Sequence, residues 1–272
     1  MTDRVLLLAG SVGPERIPSR PDPDDADWYV PLHLRDEGAA RERIAAQIAA
    51  GADVVVAPTW LTHRRALLPL GETRRARTWT AAAVRVARQA VEVGLERREE
   101  ALADAAADDV RRGRPRPLVA ASLPALDDER ENATGRLLPP ESATERDYRN
   151  QAGVIADAEP DLILVEGQPA EPDARTAITE AVDTGLPAWA APTPAALATT
   201  ELPDWIDWTQ ALGLQRLLVP GPLRDRAAAS GGPLPWGALA PSDDPLSDWL
   251  EAGAGAVAWL DGANPAVVEP LR

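Results

Sequence analysis

The side chains able to do chemistry cluster at the ends of short apolar runs. Leu162-Ile-Leu-Val165 is closed by Glu166, Leu118-Val-Ala-Ala121 by Ser122, and Ala256-Val-Ala-Trp-Leu260 by Asp261. A carboxylate that ends an apolar run must be solvated, paired or bound to a cationic group. For Glu166 that leaves an arginine or backbone donors at a loop on one side and a ligand ammonium on the other. Asp261 reads either as a base or ligand-amine contact, or as an N-terminal cap ahead of Asn264-Pro265. Trp60 and Trp236 stand at or beside other run ends, where an indole walls a pocket or packs at a rim. His33 and His63 are the two histidines. His63, followed by two arginines, reads as a solvated helix-start residue, with general-base work as the alternative. Neither histidine belongs to a His-Glu-x-x-His spacing. Asp22-Pro-Asp-Asp25 lacks the length and terminal Glu of a calcium loop and reads as a solvated acidic loop.

Several chemistries are excluded by composition. All 28 basic residues are arginine, so a Schiff-base or P-loop lysine is ruled out. The chain has no cysteine, hence no disulfide, thiol nucleophile or thiolate ligand. A net charge of −15 repels phosphate backbones and anionic lipid surfaces, so neither a nucleic acid nor a membrane is expected as partner. No apolar run approaches the length of a signal core or a membrane span, and a cytoplasmic location is the simplest expectation. The absence of Phe and the wealth of Ala, Arg, Pro and Asp read as a GC-rich coding bias, with a salt-adapted acidic surface as the alternative.

Something must bring these run ends together. Across 272 residues, with enough apolar material for a sizeable core, a short apolar run, a polar loop and a helical stretch recur to the end. The runs are Val5 to Ala9, Asp53 to Ala57, Leu118 to Ser122, Leu162 to Glu166, Pro187 to Ala191, Arg216 to Val219, Leu234 to Gly237 and Ala256 to Leu260. Helical stretches are predicted from about Asp36 to Ala50, with Gly51 as its stop, then through Val84, Ala87, Val91 and Leu95, where Arg88 and Glu92 are spaced to pair. Further helices are predicted over Thr144 to Ala158 and Asp173 to Asp183. Runs this continuously apolar are buried on both faces, and eight of them predict a closed (β/α)8 barrel in one domain, residues 1–272, ahead of an open doubly wound sheet. Gly10-Ser-Val-Gly13 lacks the third glycine of a dinucleotide fingerprint. Ile17 to Pro31 and Leu126 to Pro140 read as mobile loops. In such a barrel, reactive groups project from the carboxyl ends of the strands. That selects Gly10, Ser11, Thr59, Trp60, Ser122, Glu166, Gln168, Trp236 and Asp261.

Four segments carry a likeness: Ala50-Gly-Ala-Asp-Val-Val-Val-Ala-Pro-Thr-Trp60, Ala120-Ala-Ser-Leu-Pro124, the stretch from Tyr148-Arg-Asn-Gln151 to Pro160-Asp-Leu-Ile-Leu-Val-Glu-Gly-Gln-Pro169, and Pro187-Ala-Trp189. In this order they resemble the homocysteine S-methyltransferase family, (β/α)8 barrels that move a methyl group onto the thiol of homocysteine. The resemblance puts Glu166 on the family's strand-end glutamate. It also implies a zinc on three cysteine thiolates, one after the sixth strand and a vicinal pair in a Gly-Gly-Cys-Cys-Gly-Thr-x-Pro motif after the eighth. Here the first falls on Val219 or Pro220 and the pair on Leu260 and Asp261. The family's Asp-Gly-x-x-Gly-Thr becomes Ala9-Gly-Ser-Val-Gly-Pro14, without the acid. One carboxylate cannot replace three soft ligands, so zinc is expected to be absent and no other cofactor is indicated.

The first expectation is therefore a family member that binds a small, amino-acid-like metabolite through Gly10, Ser11, Thr59, Trp60, Ser122 and Glu166. Any methyl transfer would be zinc-independent, with Glu166 and Asp261 as the catalytic candidates. Two rivals stand beside it. One is a non-catalytic partner or regulatory subunit; the other is a barrel reused for acid–base chemistry through Ser122, Glu166 and Asp261.

Overall fold

The computed structural model describes residues 6–9, 32–68, 70–103, 112–126, 145–198, 202–220, 223, 236–240 and 256–259. Within them the apolar runs form parallel strands: β1 Leu6–Ala9, β2 Val54–Ala57, β3 Leu118–Pro124, β4 Leu162–Glu166, β5 Ala188–Ala191, β6 Arg216–Pro220, β7 Trp236–Ala240 and β8 Ala256–Trp259. Each pairs with the next, and β8 returns to β1 with Leu6 opposite Ala256, so the ladder closes into a barrel. The helices are α1 Leu32–Arg35, α2 Glu37–Ala49, α3 Arg64–Leu67, α4 Ala76–Ala103, α5 Glu145–Ala156, α6 Glu171–Val182, α7 Pro194–Ala198 and α8 Leu202–Leu212. No described helix is long and apolar enough to cross a membrane.

Alternation along each strand sorts the side chains into two layers. Leu8, Val54, Val56, Leu162, Leu164, Trp189 and Leu218 pack together inside the bore. Val55, Val119, Ile163, Val165, Leu217 and Val219 belong to the larger core under the helices. Apolar on both sides, the runs have no polar face to show to water, which is why they read as unbroken stretches of Val, Leu, Ile and Ala.

Several element boundaries differ from those the sequence predicts. Within the described residues the seventh strand runs Trp236–Ala240, and Leu234 and Pro235 of the predicted run lie outside them. Trp236 therefore opens its strand, at the end of the barrel opposite the expected pocket. Asp36 is the cap of α2 and not its first turn: its carboxylate accepts the Ala39 N–H at 2.8 Å. Short α7 and α8, which periodicity did not single out, start beside prolines, Pro194 being the first residue of α7 and Pro203 the second of α8. The predicted Arg88 and Glu92 pair does not form. Arg88 reaches Asp161 Oδ1 at 3.2 Å and Glu92 pairs with Arg116, so each ties α4 to a strand end instead of to itself. The two predicted loops, 17–31 and 126–140, lie almost wholly outside the described residues.

The tightest helix contact is α2 on α4, where Ile44 and Ile48 meet Val84, Ala87 and Val91. Gly94 permits it: a Cβ there would stand 2.5 Å from Ile48 Cβ and 2.9 Å from the Ala45 carbonyl. Arg98, one turn on, is buried and closes the carboxyl end of α2, its guanidinium donating to Ile48 O at 2.7 and 2.9 Å and to Ala52 O at 2.9 Å. Replacing Gly94 by Val is expected to cost about 1–3 kcal/mol through this overlap, read as a lower Tm in thermal melts. Combined with Ile48→Ala, the loss should be smaller than the sum of the two single changes.

Candidate functional site

Glu166 ends β4 and is fully buried. It follows Leu162 and Leu164 on the inner face and pairs in register with Pro124 and Ala191. The next residue, Gly167, takes φ +81°, and its N–H donates to Ala191 O at 3.3 Å. That left-handed turn lets the chain leave the barrel at once. Gln168, also fully buried, then donates its Nε2 to Leu123 O at 3.2 Å, while its carbonyl accepts Thr193 Oγ1 at 2.9 Å. The carboxylate is thus mounted on a loop fastened to the neighbouring strands β3 and β5.

Ser122 and Thr59 form a second unit. Ser122 lies on the inner face of β3, two residues beyond Ala120. Thr59, just past the end of β2, donates its hydroxyl to Ser122 O at 3.1 Å and accepts the Ser122 N–H at 2.8 Å. A side-chain hydroxyl there does what a strand peptide would do, extending the β2–β3 ladder by one residue. It leaves Ser122 Oγ itself buried and without a hydrogen-bond partner among the described residues, and the same holds for Trp60 Nε1. Buried polar atoms are paired in the great majority of cases, so two orphans near one another mark a place where something polar is to be met.

They are near one another because Trp60, Ser122 and Glu166 line one cavity of about 80 Å³, together with Val56, Pro58 and, from α2, Arg43 and Gln47. This has room for several waters or for a polar group of a few heavy atoms. Of the sequence-predicted residues the structure brings these three together. Thr59 adjoins the cavity, its hydroxyl committed to the Ser122 backbone. Gly10, Ser11 and Asp261 lie outside the described residues. The contribution of α2 was not foreseen; its one sequence signal is Gln47, a polar residue within the buried stripe beside Ile44 and Ile48. Arg43, on the same wall, had no signal.

The histidines belong elsewhere. His63 is not solvated as predicted but 2 % exposed, and its Nδ1 caps α3 by accepting the Ala66 N–H at 3.3 Å. His33, equally buried, donates Nε2–H to Trp79 O at 3.1 Å, and burial holds its pKa below the ordinary imidazole value.

The donor set does not fit the zinc that the family resemblance implies. The chain has no cysteine, and the sixth-strand position falls on Val219 or Pro220, both buried and neither a ligand. Leu260 and Asp261, where the vicinal pair falls, lie outside the described residues. Among the described residues no group of three or more His, Cys, Asp or Glu could hold a metal ion.

A family model described as homocysteine S-methyltransferase matches residues 34–212. Among solved structures, the metallated form of the homocysteine methyltransferase MmuM from Escherichia coli aligns with a TM-score of 0.70 at 18% identity, over 98% of this chain and 95% of that one. Its apo form gives 0.66 at 17%, over 98% and 94%. A DHDPS from Cyanidioschyzon merolae with lysine bound gives 0.52 at 11%, over 94% and 70%. At such identities these likenesses show the fold alone. The chain matches none of the curated proteins.

Two outcomes are expected from this geometry. Thr59→Val strands the Ser122 N–H and should cost about 1–3 kcal/mol in urea unfolding, whereas Thr59→Ser keeps most of the stability. His33, with its folded pKa depressed, adds stability that is full above about pH 6.5 and is lost as the pH falls toward the folded value, because the unfolded chain takes up the proton first. His33→Gln should flatten the stability profile between about pH 7 and pH 5.

Proposed function

Because the chain belongs to the homocysteine S-methyltransferase family, we propose that it binds a small, amino-acid-like metabolite at the carboxyl ends of β2, β3 and β4, and that any methyl transfer it performs is independent of zinc. Glu166 receives the ammonium of the metabolite, while Ser122 Oγ and the Trp60 Nε1–H order its polar atoms. Arg43, on the α2 wall of the same cavity, offers a positive charge to a carboxylate. The observation that carries this reading is the pair of orphaned polar atoms, Ser122 Oγ and Trp60 Nε1, on the wall that also holds the buried Glu166.

The size of the cavity supports a small ligand whose charged head enters first, and the absence of lysine and of a glycine-rich loop speaks against a nucleotide. A substrate thiol without a metal keeps a pKa near about 8.5 and is only a few per cent ionised at neutral pH. Transfer onto sulfur would then need a base, for which Glu166 and Asp261 are the candidates, or an acceptor that needs no ionisation. The protein acts in the cytoplasm on this reading. The loss of every cysteine and of the first-strand acid at Ala9 favours, as a second reading, a non-catalytic family member that binds the metabolite and serves as a partner or regulatory subunit.

Calorimetric titration with homocysteine, methionine and related amines tests the binding. At least one should give a saturable signal, and Glu166→Gln should weaken it by about 10-fold to 100-fold, as expected for a charge-assisted hydrogen bond. If no ligand saturates the protein, or if Glu166→Gln binds as the unaltered chain does, the site is misassigned. Turnover of a bound ligand separates the first reading from the second.

A further inference from the structure

Arg216 opens β6, at the end of the barrel away from Glu166, and alternation places it on the inner face with Leu218. Its Cζ lies 4.9 Å from the ring centroid of Trp189, its register partner on β5 and itself an inner-layer residue. Nε and Nη1 are buried and have no hydrogen-bond partner. Among the described residues no carboxylate pairs with it. Burial alone draws its pKa below the ordinary arginine value, yet a guanidinium remains charged at neutral pH.

Two other buried guanidinium groups, among the described residues, do have oxygen acceptors. Arg98 donates to the carbonyls of Ile48 and Ala52, and Arg114 pairs with Asp53 where both are nearly sealed from solvent. Among the described residues, what faces Arg216 is an indole, which meets the flat side of the cation and cannot accept the Nε and Nη1 hydrogens that lie in its plane. A half-buried cation with two buried, open donors is costly unless an anion supplies the missing acceptors.

We propose that the amino-terminal end of the barrel bore is a binding site for a small carboxylate, held by the in-plane N–H groups of Arg216 while Trp189 supports the guanidinium from beneath. A planar carboxylate matches the planar fork of donors. A single negative charge also suits a chain of net charge −15, whose field penalises multiply charged anions more heavily. The site is separate from the cavity at Glu166, which lies at the opposite ends of the strands.

Sodium formate, titrated into the full chain against sodium chloride at constant ionic strength, provides the test. The Arg216 Nε–H resonance, assigned through its contact with the Trp189 indole, should move along a saturable curve with formate and not with chloride. The Tm should rise by about 2–4 °C once formate reaches about five times its Kd, and Arg216→Met should abolish that rise. A resonance that stays fixed would overturn the assignment even if the variant failed to fold. An equal rise in the Arg216→Met protein would overturn it as well.

Discussion

In a closed ring of parallel strands every side chain has one of two dry destinations, the bore or the jacket of helices, and sliding a strand by one residue exchanges them. The bore is filled by Leu, Val and Trp side chains, and the inward polar residues sit toward the ends of their strands. Glu166 is the last residue of β4 and Arg216 the first of β6; Ser122 faces inward just above Ala120. The candidate site follows from this parity. Val56, Ser122 and Glu166 face inward near the carboxyl ends of β2, β3 and β4, and the space left between them is the cavity.

Parity needs a fixed register, and here side chains help to set it. Asp161 precedes β4 and uses both carboxylate oxygens, one accepting the Val119 N–H at 2.7 Å and the other meeting Arg88 from α4. Thr59 does the same for the neighbouring β2–β3 seam, at its carboxyl end, by engaging both backbone groups of Ser122. These contacts reinforce ladders between strands of four to seven residues, which matters because short ladders have few bonds with which to resist slippage. Arginine is the other binding agent. With no lysine available, arginines such as Arg88, Arg97, Arg114 and Arg116 make the cross-element ion pairs, mostly at the surface, where each adds little by itself.

The order of elements was legible because buried parallel strands and amphipathic helices have different periods. Leu162–Glu166 agrees with its prediction residue for residue, since a continuous apolar run closed by a carboxylate has a single plausible end. Where proline punctuates, legibility fell: α7 and α8 were not separated from the loops around them. Strand-end position was enough to select Trp60, Ser122 and Glu166. It was not enough to assign Thr59 a task, because a hydroxyl that completes a ladder and one that faces a ligand look alike in sequence. Arg43 and Gln47 reach the cavity through the angle at which α2 lies on β2, a tertiary property with no local pattern.

The inner charges at the two ends of the barrel have opposite signs, with a carboxylate closing β4 and a guanidinium opening β6. Between them lies a hydrocarbon filling of low polarisability, through which electric fields are weakly attenuated compared with water. The interior therefore behaves as a small oriented dipole running along the barrel axis. For the metabolite proposed above, such a dipole would favour approach to the Glu166 end with the cationic end foremost.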